Sequence, residues 1–294
     1  MATIAKIPDA YGSSVDHAAL VDAASRSLST RPRPFLKWAG SKRGLLTHIV
    51  DALPEAYRTY YEPFLGSGSL FFLLQPPRAV LGDACAELVD VFHAVAHDYA
   101  AICRYLDGWK PDPAFYYELR SNRSRGQIKR AAEFIYLNRT CWNGLYRVNA
   151  AGEFNVPYGR PKTDFLIDRK NLRECARLLS QGEVLIECCD FESLISTAGE
   201  HDLVFLDPPY VTGHNNNGFI DYNETLFSWT DQERLATVAR GLVNRGARVV
   251  ITNANHDDVL ALYGGFHIRT FGRASTLASD QTKRRSVSEA IIWL

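Results

Sequence analysis

The chain has no surplus charge of either sign, no long apolar run and no paired-cysteine motif. Its 294 residues include 33 basic and 33 acidic side chains, so the formal net charge is zero. Neutrality argues weakly against a nucleic-acid partner, because proteins of that class are often basic overall. No stretch approaches the roughly 18 apolar residues of a membrane-spanning helix. The first 34 residues hold no apolar core of the signal-peptide kind, so secretion is not expected. Six cysteines, Cys85, Cys103, Cys141, Cys175, Cys188 and Cys189, show no CxxC spacing. That excludes the usual metal and redox frameworks, and reduced thiols in a cytoplasm are expected.

What is present is enough apolar material, 46% of residues, for a packed core in one large domain or two. Residues 1–33 are rich in Ala and Ser and then in Pro and Arg, which predicts a loosely ordered arm with one short helix near 18–28. From Phe35 onward strand and helix patterns alternate. Strands are predicted at 59–64, 79–83, 183–190, 203–207, 247–253, 266–271 and 289–294, and helices at 42–53 and 230–246, the latter capped by Thr230. Lys42 starts the first helix, where the helix dipole slightly disfavours a cation, which suits a ligand role better than a stabilising one. Alternation of this kind predicts an α/β fold with a doubly wound, Rossmann-like sheet. No helix separates the last two strands, so an antiparallel edge is expected. Between 90 and 178 the alternation lapses into helical and then Arg-, Asn- and Tyr-rich sequence, which reads as an inserted helical domain. The sheet domain is then 34–89 together with 179–294.

Three places carry chemistry. In "YEPFLGSGSLFF" (61–72) a strand delivers Glu62, Pro63 and Phe64, and Gly66 and Gly68 make a tight turn into an apolar helix. Glycines there let a ligand approach the backbone, yet the spacing is not GxGxxG, so a pyrophosphate cradle is incomplete. Asp83 ends the next strand, where a carboxylate can grip both hydroxyls of a ribose. The pair favours a nucleoside cofactor without pyrophosphate, and S-adenosylmethionine suits it better than NAD or FAD. The third place is "LVFLDPPY" (203–210), a buried strand stopped by two prolines. A chance DPPY has odds of roughly one in a thousand in a chain this long. Hydrogen-bond acceptors on the protons of an aromatic amine push its nitrogen toward a nucleophilic, pyramidal state. Asp207 and the carbonyl of Pro208 can supply them, and Tyr210 offers a face on which an extruded base can stack. A run of Arg120, Arg123, Arg125, Lys129 and Arg130 contains no acid; it fits either a solvated face or phosphate contact.

"FLKWAGSKRGLL" (35–46), "YEPFLGSGSLFF", "NRTCWNGLYRVNAAGEFNVPYGR" (138–160) and "DPPY", in that order, resemble the Dam-type, alpha-class DNA adenine N6-methyltransferases. The likeness runs from Phe35 to the C-terminus. It implies a SAM-binding catalytic domain and makes the insert a target-recognition domain. It places Trp38, Lys42, Glu62, Phe64, Gly66, Gly68, Asp83 and Asp207 at the cofactor, with Asp207, Pro208 and Tyr210 at the reacting base. Lys37, Trp142, Asn143, Leu145, Arg147 and Pro157 match DNA-contacting positions, and Arg120 and Arg123 become phosphate contacts. Trp142 departs from the family, where tyrosine is usual, but keeps a flat wedge. The implied partner is double-stranded DNA, most often at GATC, with no metal and no membrane, in a monomeric cytoplasmic, nucleoid-associated enzyme. Methylation of an amino group in RNA or protein is the alternative, since similar turns serve those substrates. A non-catalytic DNA-binding protein is disfavoured by the joint presence of Asp83, Asp207 and Tyr210.

Overall fold

The computed structural model of the chain describes residues 13–25, 31–211, 227–274 and 286–294. The sequence predicts that the Gly- and Asn-rich stretch at 211–229 is a loop mobile until a base is bound, and His214 in it has no second metal-ligand candidate. That stretch lies outside the described residues over 212–226, and so does the basic run at 283–285.

Seven strands form one sheet in the order β5-β4-β3-β6-β7-β9-β8. They are β3 (Tyr60–Glu62), β4 (Arg78–Asp83), β5 (Glu183–Cys188), β6 (Leu203–Leu206), β7 (Arg248–Ala254), β8 (His267–Ala274) and β9 (Ser286–Trp293). The five from β3 to β7 pair in parallel, and β9 runs antiparallel between β7 and β8. Every residue of β6 is buried, as a parallel strand covered on both faces must be. The predicted doubly wound sheet and its antiparallel edge are both present.

Helices cover the two faces with separate apolar cores. On one side lie α2 (Leu46–Val50), α3 (Ser69–Leu74), α4 (Ala86–Asp107), α5 (Pro113–Ser121), α6 (Gln127–Thr140) and α7 (Arg169–Leu179). On the other lie α8 (Phe191–Leu194), α9 (Trp229–Asn244) and α10 (Asp257–Ala261). The insert therefore has no core of its own. Helix α4 crosses residue 90 and packs on α6 and α7 as well as on β4 and β5, so the residues of the insert are rigidly tied to the sheet.

Two local readings change. The cap of α9 is Ser228, not Thr230. The Ser228 hydroxyl accepts from the Asp231 amide at 3.2 Å while the Asp231 carboxylate accepts from the Ser228 amide at 2.9 Å. This reciprocal pair satisfies two helix-start donors, where Thr230 could satisfy one. The N-terminal segment is also docked rather than loose over 13–25. Its strand β1 (Ser13–Ser14) pairs with β2 (Ala56–Tyr57), and α1 (His17–Ser25) buries Leu20 against α2 and α3.

Candidate active site

The strand order reverses between β3 and β6, and ligands of doubly wound sheets bind beyond the carboxyl ends of the strands at such a point. Those two ends carry the glycine turn and the Asp-Pro-Pro-Tyr turn. Gly66 and Gly68 both take left-handed φ, +49° and +68°, which side-chain-bearing residues adopt at a cost. A Cβ on Gly66 would also lie 2.9 Å from Cδ1 of the Trp38 indole. Gly66→Ala is thus expected to lose about 1–2 kcal/mol to backbone strain and more to the displaced indole. A thermal unfolding midpoint equal to that of the wild type would show that this turn relaxes freely.

Asp207 is clamped. Its Oδ1 accepts from Lys42 Nζ at 2.7 Å and from Thr252 Oγ1 at 2.6 Å, while among the described residues no hydrogen bond engages Oδ2. Burial raises the Asp207 pKa above the ordinary aspartate value, and the Lys42 ammonium opposes that rise. The turn is held from behind as well: Gln232 of α9 donates to the Pro209 carbonyl at 3.2 Å, and Asn253 of β7 donates to Gln232 at 3.0 Å. Lys42 also donates to the Gly40 carbonyl at 2.6 Å and lies 4.6 Å from the centre of the Tyr210 ring. It starts only a three-residue 3-10 turn, Lys42–Gly44, so the helix-dipole penalty suggested by a longer predicted helix does not arise. Its place is explained by Asp207 instead.

Glu62 is buried and accepts from the Tyr60 hydroxyl at 2.9 Å. Burial, with the negative charge of Asp207 nearby, pushes its pKa up to about 8. Asp83 accepts from the Gly66 amide at 3.0 Å and the Cys85 amide at 2.9 Å, one on each oxygen. With the Ala84 amide as a further backbone donor the carboxylate still keeps unused acceptor capacity, and burial raises the pKa of this acid too. Phe64 stacks on Phe191 at 5.4 Å and meets Phe227 edge-on at 5.7 Å, so its ring joins the core of the α9 face.

The "NRTCWNGLYR" segment lies against the N-terminal block. The Asn138 side chain accepts from the Lys37 amide at 2.8 Å and donates to the Lys37 carbonyl at 2.7 Å. Lys37 is exposed, and partial burial together with the Arg139 guanidinium lowers its pKa. Trp142 stands 43% exposed on a short turn, beside exposed Asn143 at φ +54°. Leu145 packs on the core, Arg147 is exposed with its Nε donating to Asn155 at 2.7 Å, and the Pro157 carbonyl receives the Trp142 amide at 2.9 Å.

The basic run divides. Arg125 and Lys129 are exposed. Arg120 donates to the Val156 carbonyl at 3.1 Å, next to Pro157 in the chain. Arg123 departs from its expected phosphate role: it lies 2.8 Å from Glu87 and 3.3 Å from Glu133, with its side chain only 12% exposed. An acid-free stretch of sequence found its counter-ions on α4 and α6.

Thr252, Gln232, Tyr60, Glu87 and Tyr146 are site-shaping residues that the sequence did not single out. Thr252 had the best signal, a hydroxyl at the end of an apolar strand. Its opposite number could not be read, because the register Leu206↔Ile251 that brings it beside Asp207 is tertiary. Among the described residues no cluster of His, Cys, Asp and Glu is arranged to hold a metal, and no helix is long and apolar enough to cross a membrane.

The sequence matches a known family and several named relatives. Residues 38–276 match the family model described as D12 class N6 adenine-specific DNA methyltransferase. The chain is 34% identical over 268 residues to the type II methyltransferase M1.LlaDCHI of Lactococcus lactis subsp. cremoris, covering 88% of this chain and 94% of that one. It is 36% identical over 261 residues to the type II methyltransferase M.MjaIII of Methanocaldococcus jannaschii, covering 81% and 90%. To the DNA adenine methylase of Escherichia coli strain K12 it is 34% identical over 267 residues, covering 88% and 94%. With a matched region that holds both turns of the crevice and the segment facing them, the chain belongs to the D12 class of N6 adenine-specific DNA methyltransferases.

Proposed function

We propose that this enzyme transfers the methyl group of S-adenosylmethionine to N6 of an adenine flipped out of duplex DNA, at GATC. The observation that carries the reading is Asp207, fixed through Oδ1 by Lys42 and Thr252 on a doubly proline-locked turn, with Oδ2 left to accept from a substrate amine. Asp207 and the Pro208 carbonyl each accept a hydrogen bond from one of the two amino N–H groups, which localises the nitrogen lone pair for attack. As N6 gains the new carbon it becomes cationic and sheds one proton. A carboxylate with a raised pKa, backed by a lysine, is suited to receive it. Tyr210 supports the base from one face.

The crevice fits the donor. Asp83 retains lone pairs for ribose hydroxyls, Trp38 presents an indole over the bare backbone of Gly66, and the turn lacks the glycine spacing that would suit a pyrophosphate. When bound, S-adenosylmethionine supplies a methyl group activated by a positively charged sulfur, which leaves with the electron pair of the broken bond. Residues 34–89 and 179–294 serve catalysis, and 90–178 read the DNA. Lys37, Trp142, Asn143, Leu145, Arg147 and Pro157 line the reading face, with Arg120 on the phosphates. Support for adenine as the target comes from the name DNA adenine methylase on relatives, and support for GATC from the resemblance of the Trp142–Pro157 block.

Methylating a plasmid in vitro and mapping modified adenines by sequencing tests the proposal, with labelled RNA in parallel. Methyl transfer to RNA alone would overturn it. Arg147→Ala is expected to relax sequence choice by about 1–3 kcal/mol at one base position, because an arginine reads guanine through two hydrogen bonds. Equal weakening on all duplexes would make Arg147 a phosphate contact instead.

A further inference from the structure

Tyr146 lies between the base-facing Leu145 and Arg147, yet its side chain points back into the cofactor half of the site. Its ring stacks on Trp38 at 5.4 Å and 24°, and meets Phe134 at 5.6 Å and Phe154 at 5.8 Å in tilted contacts. Its hydroxyl donates to Glu87 Oε2 at 3.2 Å. Glu87 is anchored in turn by Arg123 at 2.8 Å and Arg130 at 3.1 Å through its other oxygen. Trp38 also lies against the Gly66 turn, and the Gly66 amide is bonded to Asp83. A continuous line of contacts therefore runs from the acid at the end of β4, through the glycine turn and the indole, to the backbone that carries Arg147. Each link is a packed ring or a short hydrogen bond, the kind of contact that passes a displacement on rather than absorbing it.

We infer that Tyr146 is a positioning residue that couples occupancy of the cofactor crevice to the base-reading loop, so that bound cofactor tightens the grip on the correct sequence. This rests on the reading that Trp38 faces cofactor and Arg147 faces DNA. A ligand that orders Trp38 orders the Tyr146 ring stacked on it, and the peptide that aims Arg147 follows. Coupling is reciprocal: correct DNA tightens cofactor binding by the same factor. Tyr146 itself touches neither ligand in this scheme, so its loss leaves each binary affinity nearly intact and removes the link between them.

The test measures affinity for a GATC duplex and for a duplex altered at one base, with and without saturating S-adenosylhomocysteine, using the full chain. For the wild type this methyl-free product of the donor is expected to tighten the cognate duplex by about 5–150-fold, the usual range for coupled sites, and the altered duplex much less. Tyr146→Leu should bring the cognate enhancement to within about twofold of none. Tyr146→Phe, which keeps the stack and loses the Glu87 bond, should restore most of it. Phe134→Leu thins the same stack without touching the loop and should give an intermediate value, which decides the matter if Tyr146→Leu does not fold. Undiminished coupling in the leucine variants, or no coupling in an active wild type, overturns the inference. A wild type that does not methylate adenine in the duplex at all overturns the underlying functional reading instead.

Discussion

Asp207→Asn is expected to lower the rate of methyl transfer by about 10²–10³ while leaving the fold intact. The amide oxygen of asparagine can still accept from Lys42 and Thr252, which hold Oδ1 at 2.7 and 2.6 Å. The amide nitrogen then replaces Oδ2, so a donor faces the amino group that needs an acceptor. Asp207→Ala is the less informative change. Both variants remove the counter-charge of the Lys42 ammonium, whose side chain is 5% exposed, but alanine removes the acceptor oxygen as well. Removing one partner of a buried pair costs about 3–5 kcal/mol, so lost activity in the alanine variant would mix chemistry with unfolding. Single-turnover transfer from a labelled donor, read beside the unfolding midpoint, separates the two. An asparagine variant that is stable and fully active would remove Asp207 from the proposed chemistry.

Glu62 predicts a pH dependence of stability. Its folded pKa, pushed up to about 8, stands above the ordinary glutamate value of 4.5. Between those values the folded protein holds a proton that the unfolded chain has lost, so stability falls as pH rises from near 4.5 to near 8. At about 1.4 kcal/mol per unit the loss from this group amounts to several kcal/mol. Glu62→Gln keeps an acceptor for the Tyr60 hydroxyl and carries no charge to bury. It should match the wild type near pH 5 and exceed it near pH 8 in denaturant unfolding of the ligand-free protein. An unchanged pH slope in the variant would place the titration on other groups, of which Asp83 and Asp207 shift in the same direction.

The legible part of this protein was its apolar and turn grammar. Buried strands announce themselves as short apolar runs, and each of the seven expected ones joins the sheet. The reading was weaker wherever a side chain could choose among distant partners. Lys42 looked like a cation misplaced at a helix start, and became intelligible only beside Asp207, 165 positions further along the chain. Arg123 looked like part of a phosphate-seeking run, and proved to be neutralised by Glu87 and Glu133. The inserted segment read as a separate domain because its period differs from that of the sheet. It nevertheless shares one core with α2, α3 and the sheet face above them.

By itself the sequence determined the strand ends that carry Glu62, Asp83 and Asp207, the two rigid turns and the order of the four blocks. Local chemistry decides these: proline and glycine restrict or free the backbone where they stand, and apolar runs must be buried. Only the tertiary structure decided that Lys42 and Thr252 meet on one oxygen of Asp207, that burial raises the pKa of Glu62, and that Tyr146 stacks on Trp38. Those are outcomes of strand register and of burial, which depend on which residues the whole chain brings opposite one another.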